Sequence, residues 1–158
     1  MKAAFCGTFD PVTMGHLNLI ERAARLFEEV VVIVSPNSDK HNRFSEAQRV
    51  AWLQEAVAPI GNVRCEVRGG LAVEAAAQAG CQTLVRGVRS AVDLAYEQNM
   101  AEVNRYLDPH LETVVLLCDP AYAYYSSSNV RELLKYGQDI SPFVPACVSE
   151  TLKGEKHV

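Results

Sequence analysis

Residues 1–35 read MKAAFCGTFDPVTMGHLNLIERAARLFEEVVVIVS, and they decide the fold. Residues 1–6 form a short, largely apolar run that Gly7 breaks. Leu17, Ile20, Ala24 and Phe27 then recur at intervals of three and four, which is one helical stripe over residues 15–29. Residues 30–34 are five consecutive β-branched residues with no polar alternation. A strand of that composition is buried on both faces, as a central strand of a parallel sheet is. Strand, helix and doubly buried strand in one stretch predict a parallel βαβ unit.

The same alternation continues to the end of the chain. Residues 36–44 are a polar loop, and Ser45 with Gln48 fits a capping box that opens a helix. Further strands are expected at 62–67, 82–86 and 112–118. Further helices are expected at 71–79, closed by Gly80, at 90–107, at 126–136, closed by Gly137, and at 145–153, with Pro145 at its first position. On residues 90–107, Val92, Tyr96, Met100, Val103 and Leu107 form an apolar stripe. A polar stripe of Asp93, Glu97 and Asn104 borders it and is expected along a pocket edge. The expectation is α/β: a single doubly wound, Rossmann-like domain over 1–158 with a five-stranded parallel sheet. Ligands of such sheets sit at the carboxyl ends of the strands, near a topological switch point. Chemistry is therefore expected just after Cys6, Ser35, Val67, Arg86 and Cys118.

Composition agrees with this and removes several function classes. The chain has 158 residues, 49% of them hydrophobic and 22% charged, at a mean hydropathy of −0.01. These are the proportions of one globular domain, not of a disordered chain. No apolar run is longer than five residues, against about 20 for a membrane span, and no signal peptide is expected. Net charge −4 argues against a protein that coats nucleic acid, but not against a local cationic pocket. Five scattered cysteines, with no CxxC, give no metal-ligand spacing and read as reduced thiols in a cytosol.

Several residues stand out at the expected strand ends. Thr8 follows Gly7 with a hydroxyl and a backbone N–H, and His16 falls at the start of a helix, where free N–H groups and the dipole favour an anion. Arg86 and Arg89 bracket Gly87-Val88, and guanidinium forks match phosphate oxygens. Lys40 lies in the polar loop after the second strand. Ser126, Ser127 and Ser128 crowd one helix start with three hydroxyls, where a cap needs one. No Ser-His-Asp or Cys-His arrangement for a covalent intermediate is evident.

Gly7-Thr8-Phe9-Asp10-Pro11 followed by Thr13-x-Gly15-His16 resembles the nucleotidyltransferase superfamily with an HxGH or TxGH signature. Three further segments narrow the resemblance: Ser35-Pro36-Asn37 with Lys40 and Phe44; Arg86-Gly87-Val88-Arg89 with Asp93, Tyr96, Glu97 and Asn104; and Tyr125 to Ser128. Together, and over essentially the whole chain, they resemble the bacterial pantetheine-phosphate adenylyltransferases. The resemblance implies transfer of the adenylyl group of ATP to 4′-phosphopantetheine, giving 3′-dephospho-coenzyme A and pyrophosphate, the penultimate step of coenzyme A synthesis. It implies catalytic roles for His16, Lys40 and Arg89, and acceptor contacts from Thr8, Lys40, Ala72 and Arg86. It implies ATP contacts from Thr8, Phe9, His16, Gly87, Val88, Arg89 and Glu97, and from Tyr122, Ala123, Tyr124, Tyr125, Ser126, Ser127 and Ser128. It further implies magnesium carried on the ATP phosphates with no dedicated protein site, a homohexamer, feedback by coenzyme A and a cytoplasmic enzyme.

The chain departs from the family pattern at Cys6, where Pro is common, at Ala72, which offers an acceptor only backbone and a methyl group, and at Tyr122, where Trp is frequent. Two other readings are open. One is a sister nucleotidyltransferase that uses nicotinamide mononucleotide or CTP; the Lys40 loop and the Arg86–Arg89 segment weigh against it. The other is a non-catalytic nucleotide sensor, which does not need His16, Lys40 and Arg89 together at one phosphate.

Overall fold

A computed structural model describes residues 1–36 and 42–155, the last without its side chain. Five strands alternate with helices in chain order: β1 (Lys2–Gly7), α1 (Met14–Leu26), β2 (Glu29–Val34), α2 (Glu46–Val57), β3 (Val63–Val67), α3 (Ala72–Gln78), β4 (Thr83–Val88), α4 (Ala91–Leu107) and β5 (Glu112–Leu117). A short 3-10 turn (Pro120–Tyr122), α5 (Ser127–Lys135) and α6 (Ala146–Glu155) complete it. The sheet order is β3-β2-β1-β4-β5 and every neighbouring pair is parallel. The winding reverses between β1 and β4, so the switch point falls where their carboxyl ends meet the following loops.

Period-two alternation divides the strand residues between two cores. Phe5, Val32, Val34 and Val85 face the side covered by α1, α2, α5 and α6, with Trp52, Leu53 and Val130 from the helices. Cys6, Val31, Ile33 and Leu84 face the other side, filled by Val73, Ala75 and Ala76 of α3 and by Ala79 just after it. The unbroken β-branched run of β2 follows from this: Val30 to Val34 are all buried, on alternating faces.

One expectation is corrected. β4 does not end at Arg86; its ladder with β5 continues to Val88 opposite Leu117, so Arg86 and Gly87 lie within the strand. Space for α1 against β4 exists because residue 87 is glycine: a Cβ there would stand 2.3 Å from Leu19 Cδ1. α4 departs from the usual rule for an amphipathic helix, because its apolar stripe does not pack inward. Val92, Tyr96, Val103 and Leu107 are about half or more exposed, and the one buried residue of the helix is Glu97. The polar stripe of Asp93, Glu97 and Asn104 faces the protein instead. Glu97 pairs there with Arg86, whose guanidinium is partly buried against the sheet, where an unpaired charge is costly.

Candidate active site

A cavity of about 330 Å³ opens at the switch point. β1 and its following loop contribute Cys6, Gly7, Thr8 and Phe9; α1 contributes His16; β4 and its following loop contribute Arg86, Gly87 and Arg89; and Tyr122, Tyr125, Ser126 and Ser127 close the far wall. A second cavity of about 260 Å³ shares Thr8, Phe9, His16 and Ser127 with it and adds Asp10, Asn42, Ser128 and Arg131.

His16 is held by the cap of its own helix. Thr13, fully buried, is the N-cap, and its backbone N–H donates to His16 Nδ1 at 3.1 Å. The Thr13 hydroxyl donates to Tyr125 O at 2.7 Å, so its single proton is committed there. An Nδ1 that accepts from a main-chain N–H carries no proton, so the neutral ring bears its hydrogen on Nε2. The Phe9 ring meets the imidazole edge-on at 5.1 Å. Gly7 makes room for that ring: a Cβ at residue 7 would stand 3.0 Å from Phe9 Cζ. Burial, and to a lesser degree the Arg89 charge, push the His16 pKa from 6.5 down to about 4. At neutral pH His16 is therefore an uncharged donor, not the cation that a protonated ring would supply.

Arg86 is fixed from two sides. Nε and Nη2 donate to the two Glu97 oxygens at 2.8 Å each, and Nη1 donates to Cys6 O at 3.0 Å. Five N–H bonds radiate from a guanidinium, so one on each Nη stays available to the cavity. Arg89 is tied more loosely, with Nε 3.4 Å from Asp93 Oδ2 and a side chain 43% exposed. The far wall is capped by Ser126, whose hydroxyl accepts from Asn129 N at 3.1 Å, while Ser127 Oγ donates to Pro11 O at 2.7 Å. One hydroxyl caps, one ties the wall to the β1 loop, and Ser128 lies beside Arg131 Nη2 at 3.2 Å. Burial pushes the Cys6 thiol up to about 11 and raises that of Cys118, so neither cavity thiol is a ready nucleophile. Among the described residues no three His, Cys, Asp or Glu side chains cluster as a metal site needs, and no helix is long and apolar enough to cross a membrane.

The structure thus brings together Thr8, Phe9, His16, Arg86, Gly87, Arg89, Tyr122, Tyr125, Ser126 and Ser127, with Ser128 in the adjoining cavity. Glu97 lies behind Arg86. Val88 is buried in the sheet and Tyr124 is 76% exposed, and neither they nor Ala123 line either cavity. Ala72 opens α3 after β3 and packs on the second core. Lys40 lies outside the described residues. Residues that sequence reasoning passed over include Arg131, one helical turn beyond Ser128; Asp10, whose two oxygens accept from Arg43 N and Phe44 N; and Arg49, whose Nη1 donates to Thr8 O at 2.5 Å. Arg131 carried a signal, since it follows the serine run on the same helix; a lone Arg within α2 carried none.

A family model for cytidylyltransferase-like proteins matches residues 4–133. The phosphopantetheine adenylyltransferase of Leifsonia xyli subsp. xyli is 50% identical over 149 residues, covering 92% of this chain and 93% of that protein. That of Shouchella clausii is 44% identical over 97% of both chains, and that of Levilactobacillus brevis 40% identical over 95% and 93%. A crystal structure of a putative nicotinate-nucleotide adenylyltransferase from Vibrio parahaemolyticus superposes with a TM-score of 0.70 over 98% of this chain and 92% of that one, at 21% identity. That likeness is one of fold, whereas the curated relatives match at much higher identity across nearly the whole length. The chain therefore belongs to the phosphopantetheine adenylyltransferase family of cytidylyltransferase-like proteins.

Proposed function

We propose that the chain transfers the adenylyl group of ATP to the phosphate of 4′-phosphopantetheine, releasing pyrophosphate and forming 3′-dephospho-coenzyme A, within coenzyme A biosynthesis. Family membership supports this reading, and one observation carries it at the level of chemistry. A neutral His16 with its hydrogen on Nε2 lines the same cavity as Arg86, Arg89 and a hydroxyl-rich helix start, and among the described residues no activated nucleophile is present there. An acceptor phosphate oxygen then attacks the α-phosphorus directly, in line with the departing pyrophosphate. The bond to the bridging oxygen breaks as the new P–O bond forms, and nothing on the protein becomes covalent. His16 donates from Nε2 to a non-bridging oxygen on which charge grows, Arg89 and Lys40 meet phosphate oxygens, and Arg86 holds the acceptor phosphate. Tyr122 and Tyr125 flank the nucleoside, with Tyr122 in the position where relatives often have Trp.

Magnesium in this reading enters with ATP and neutralises charge on the polyphosphate. The donor set suits that arrangement. The cavity offers cations and neutral oxygens, Thr8, Ser126 and Ser127 among them, and the Asp10 carboxylate beside it already accepts two backbone N–H bonds. The proposal extends to a homohexamer in the cytoplasm, subject to feedback by coenzyme A. The outward apolar stripe of α4 supports self-association, because contiguous exposed apolar side chains mark contact surfaces.

The test is pyrophosphate release with a panel of acceptors and nucleotides at equal concentration. Magnesium-dependent release is expected from ATP with 4′-phosphopantetheine, and little with nicotinamide mononucleotide, with glycerol phosphate or with CTP as donor. Faster reaction with another acceptor, or with CTP, overturns the specific reading.

A further inference from the structure

The loop between β1 and α1 has three of its carbonyl oxygens held from outside by side chains. Thr8 O accepts from Arg49 Nη1 at 2.5 Å, Asp10 O from Arg131 Nη1 at 2.7 Å and Pro11 O from Ser127 Oγ at 2.7 Å. The donors come from α2 and α5. The backbone N–H groups of Thr8 and Phe9, by contrast, have no hydrogen-bond partner among the described residues. Both residues line both cavities. The Thr8–Phe9 peptide is trans, so its C=O and N–H point in opposite directions. Anchoring Thr8 O on α2 therefore turns the Phe9 N–H away from α2. Phe9 itself has φ +50°, in the left-handed region, which a bulky residue adopts only where its surroundings enforce it. A left-handed residue beside consecutive free amides is the geometry of a concave anion nest.

Arg49 has no other evident purpose. It is 2% exposed, its Nε is buried without a partner, and no carboxylate pairs with it among the described residues. A buried cation with no counter-ion is costly, and an apolar side chain of that length would fill the space without the cost. Among the described residues, its one side-chain hydrogen bond goes to the loop carbonyl. We propose that Arg49 is a positioning residue for adenylyl transfer: it holds the Thr8–Phe9 peptide with its amide hydrogen turned into the cavity, so that the loop binds phosphate oxygens through its backbone. The proposal rests on the reading above only for the reaction in which that phosphate takes part.

The experiment uses the full chain, with inorganic pyrophosphate and adenosine titrated separately by calorimetry into wild type, Arg49→Met and Arg49→Lys. A misoriented amide weakens phosphate binding alone. The pyrophosphate dissociation constant of Arg49→Met is expected to rise at least tenfold, with adenosine within twofold, and Arg49→Lys, which restores a cationic donor, is expected to fall between. If Arg49→Met does not fold, Arg49→Gln is read in the same way. Unchanged pyrophosphate binding in the folded variant overturns the proposal. So does an equal loss for adenosine, which is what a merely structural residue produces. A wild type that does not bind pyrophosphate overturns the nest itself. One that binds pyrophosphate yet releases none from ATP with 4′-phosphopantetheine overturns the reaction reading alone.

Discussion

Replacing His16 by Gln should make the folded protein less sensitive to acid, by an amount set by the surroundings of the ring. His16 titrates at about 4 in the folded chain, against 6.5 when unhindered. Above pH 6.5 both states leave it neutral and it contributes no pH dependence. As pH falls from 6.5 towards 4 the unfolded chain takes up a proton that the folded chain refuses, so stability is lost through that window and levels off below it. From those two values the loss attributable to His16 is about 1.4 kcal/mol at pH 5.5 and about 2.5 kcal/mol at pH 4.5, tending to roughly 3 kcal/mol. Gln suits the comparison because its oxygen can accept from Thr13 N–H and its amide can donate outward, while nothing on it titrates. Urea unfolding of both proteins at pH 7.5, 5.5 and 4.5 reads the effect as a difference of differences, which cancels the carboxylates they share. Wild type is expected to lose about 2.5 kcal/mol more than His16→Gln between the extremes. A gap that stays constant with pH would refute both the bare Nδ1 and the neutral donor. Turnover should likewise show no inflection near pH 6.5 from this residue.

His16→Ala should cut turnover about 10²–10³-fold while ATP affinity changes little, as loss of a preorganised donor does; steady-state kinetics beside calorimetric binding separates the two. Lys40→Met and Arg89→Met should each hold stability within about 0.5 kcal/mol in thermal melts yet abolish most activity, and unfolding with normal activity per folded molecule would make the residue structural. Glu97→Ala should destabilise by about 1–3 kcal/mol in urea titrations, because it leaves the Arg86 fork without its acceptor. Sedimentation of the intact protein should give about six times 17.4 kDa, and Tyr96→Glu with Val103→Glu on α4 should lower that mass.

The order of elements was legible because each obeys a local rule: β2 is an uninterrupted β-branched run, and α1 carries its apolar residues at helical spacing. The orientation of α4 was not legible. Its apolar and polar stripes are neighbours on the helix, and hydrophobic spacing alone assigns the apolar one inward. The opposite outcome depends on the Arg86–Glu97 pair, which joins a strand residue to a helix residue and leaves no pattern in either segment. The candidate site divides the same way. Gly7 to Phe9, His16, Arg86, Arg89 and the serine run announced themselves by clustering at strand ends. Arg49 gave no sign, because its meaning lies in a single bond to a carbonyl forty-one positions away. The neutral state of His16 was equally hidden, since it depends on Thr13 N–H and on burial rather than on residue type.

An acidic chain that binds a highly charged nucleotide must concentrate its positive potential, and the geometry divides that task among unlike groups. Arg86 is one half of an ion pair, so Glu97 cancels most of its net charge, and what it offers the cavity is two N–H bonds in a fixed direction. Arg89, 3.4 Å from Asp93 and half exposed, keeps more of its charge free and more freedom to follow a moving phosphate. His16 brings no charge at all at neutral pH, and the β1 loop brings free amides. Among the described residues the site is built mainly of directed donors, so in the proposed reaction it holds the ground-state polyphosphate only moderately. It strengthens where charge grows on the α-phosphate, because those donors need not reorient when the charge appears. Such a site tolerates misplacement badly, which gives a reason for enclosing the β1 loop between buried Arg49, Arg131 and Ser127 instead of leaving it to solvent.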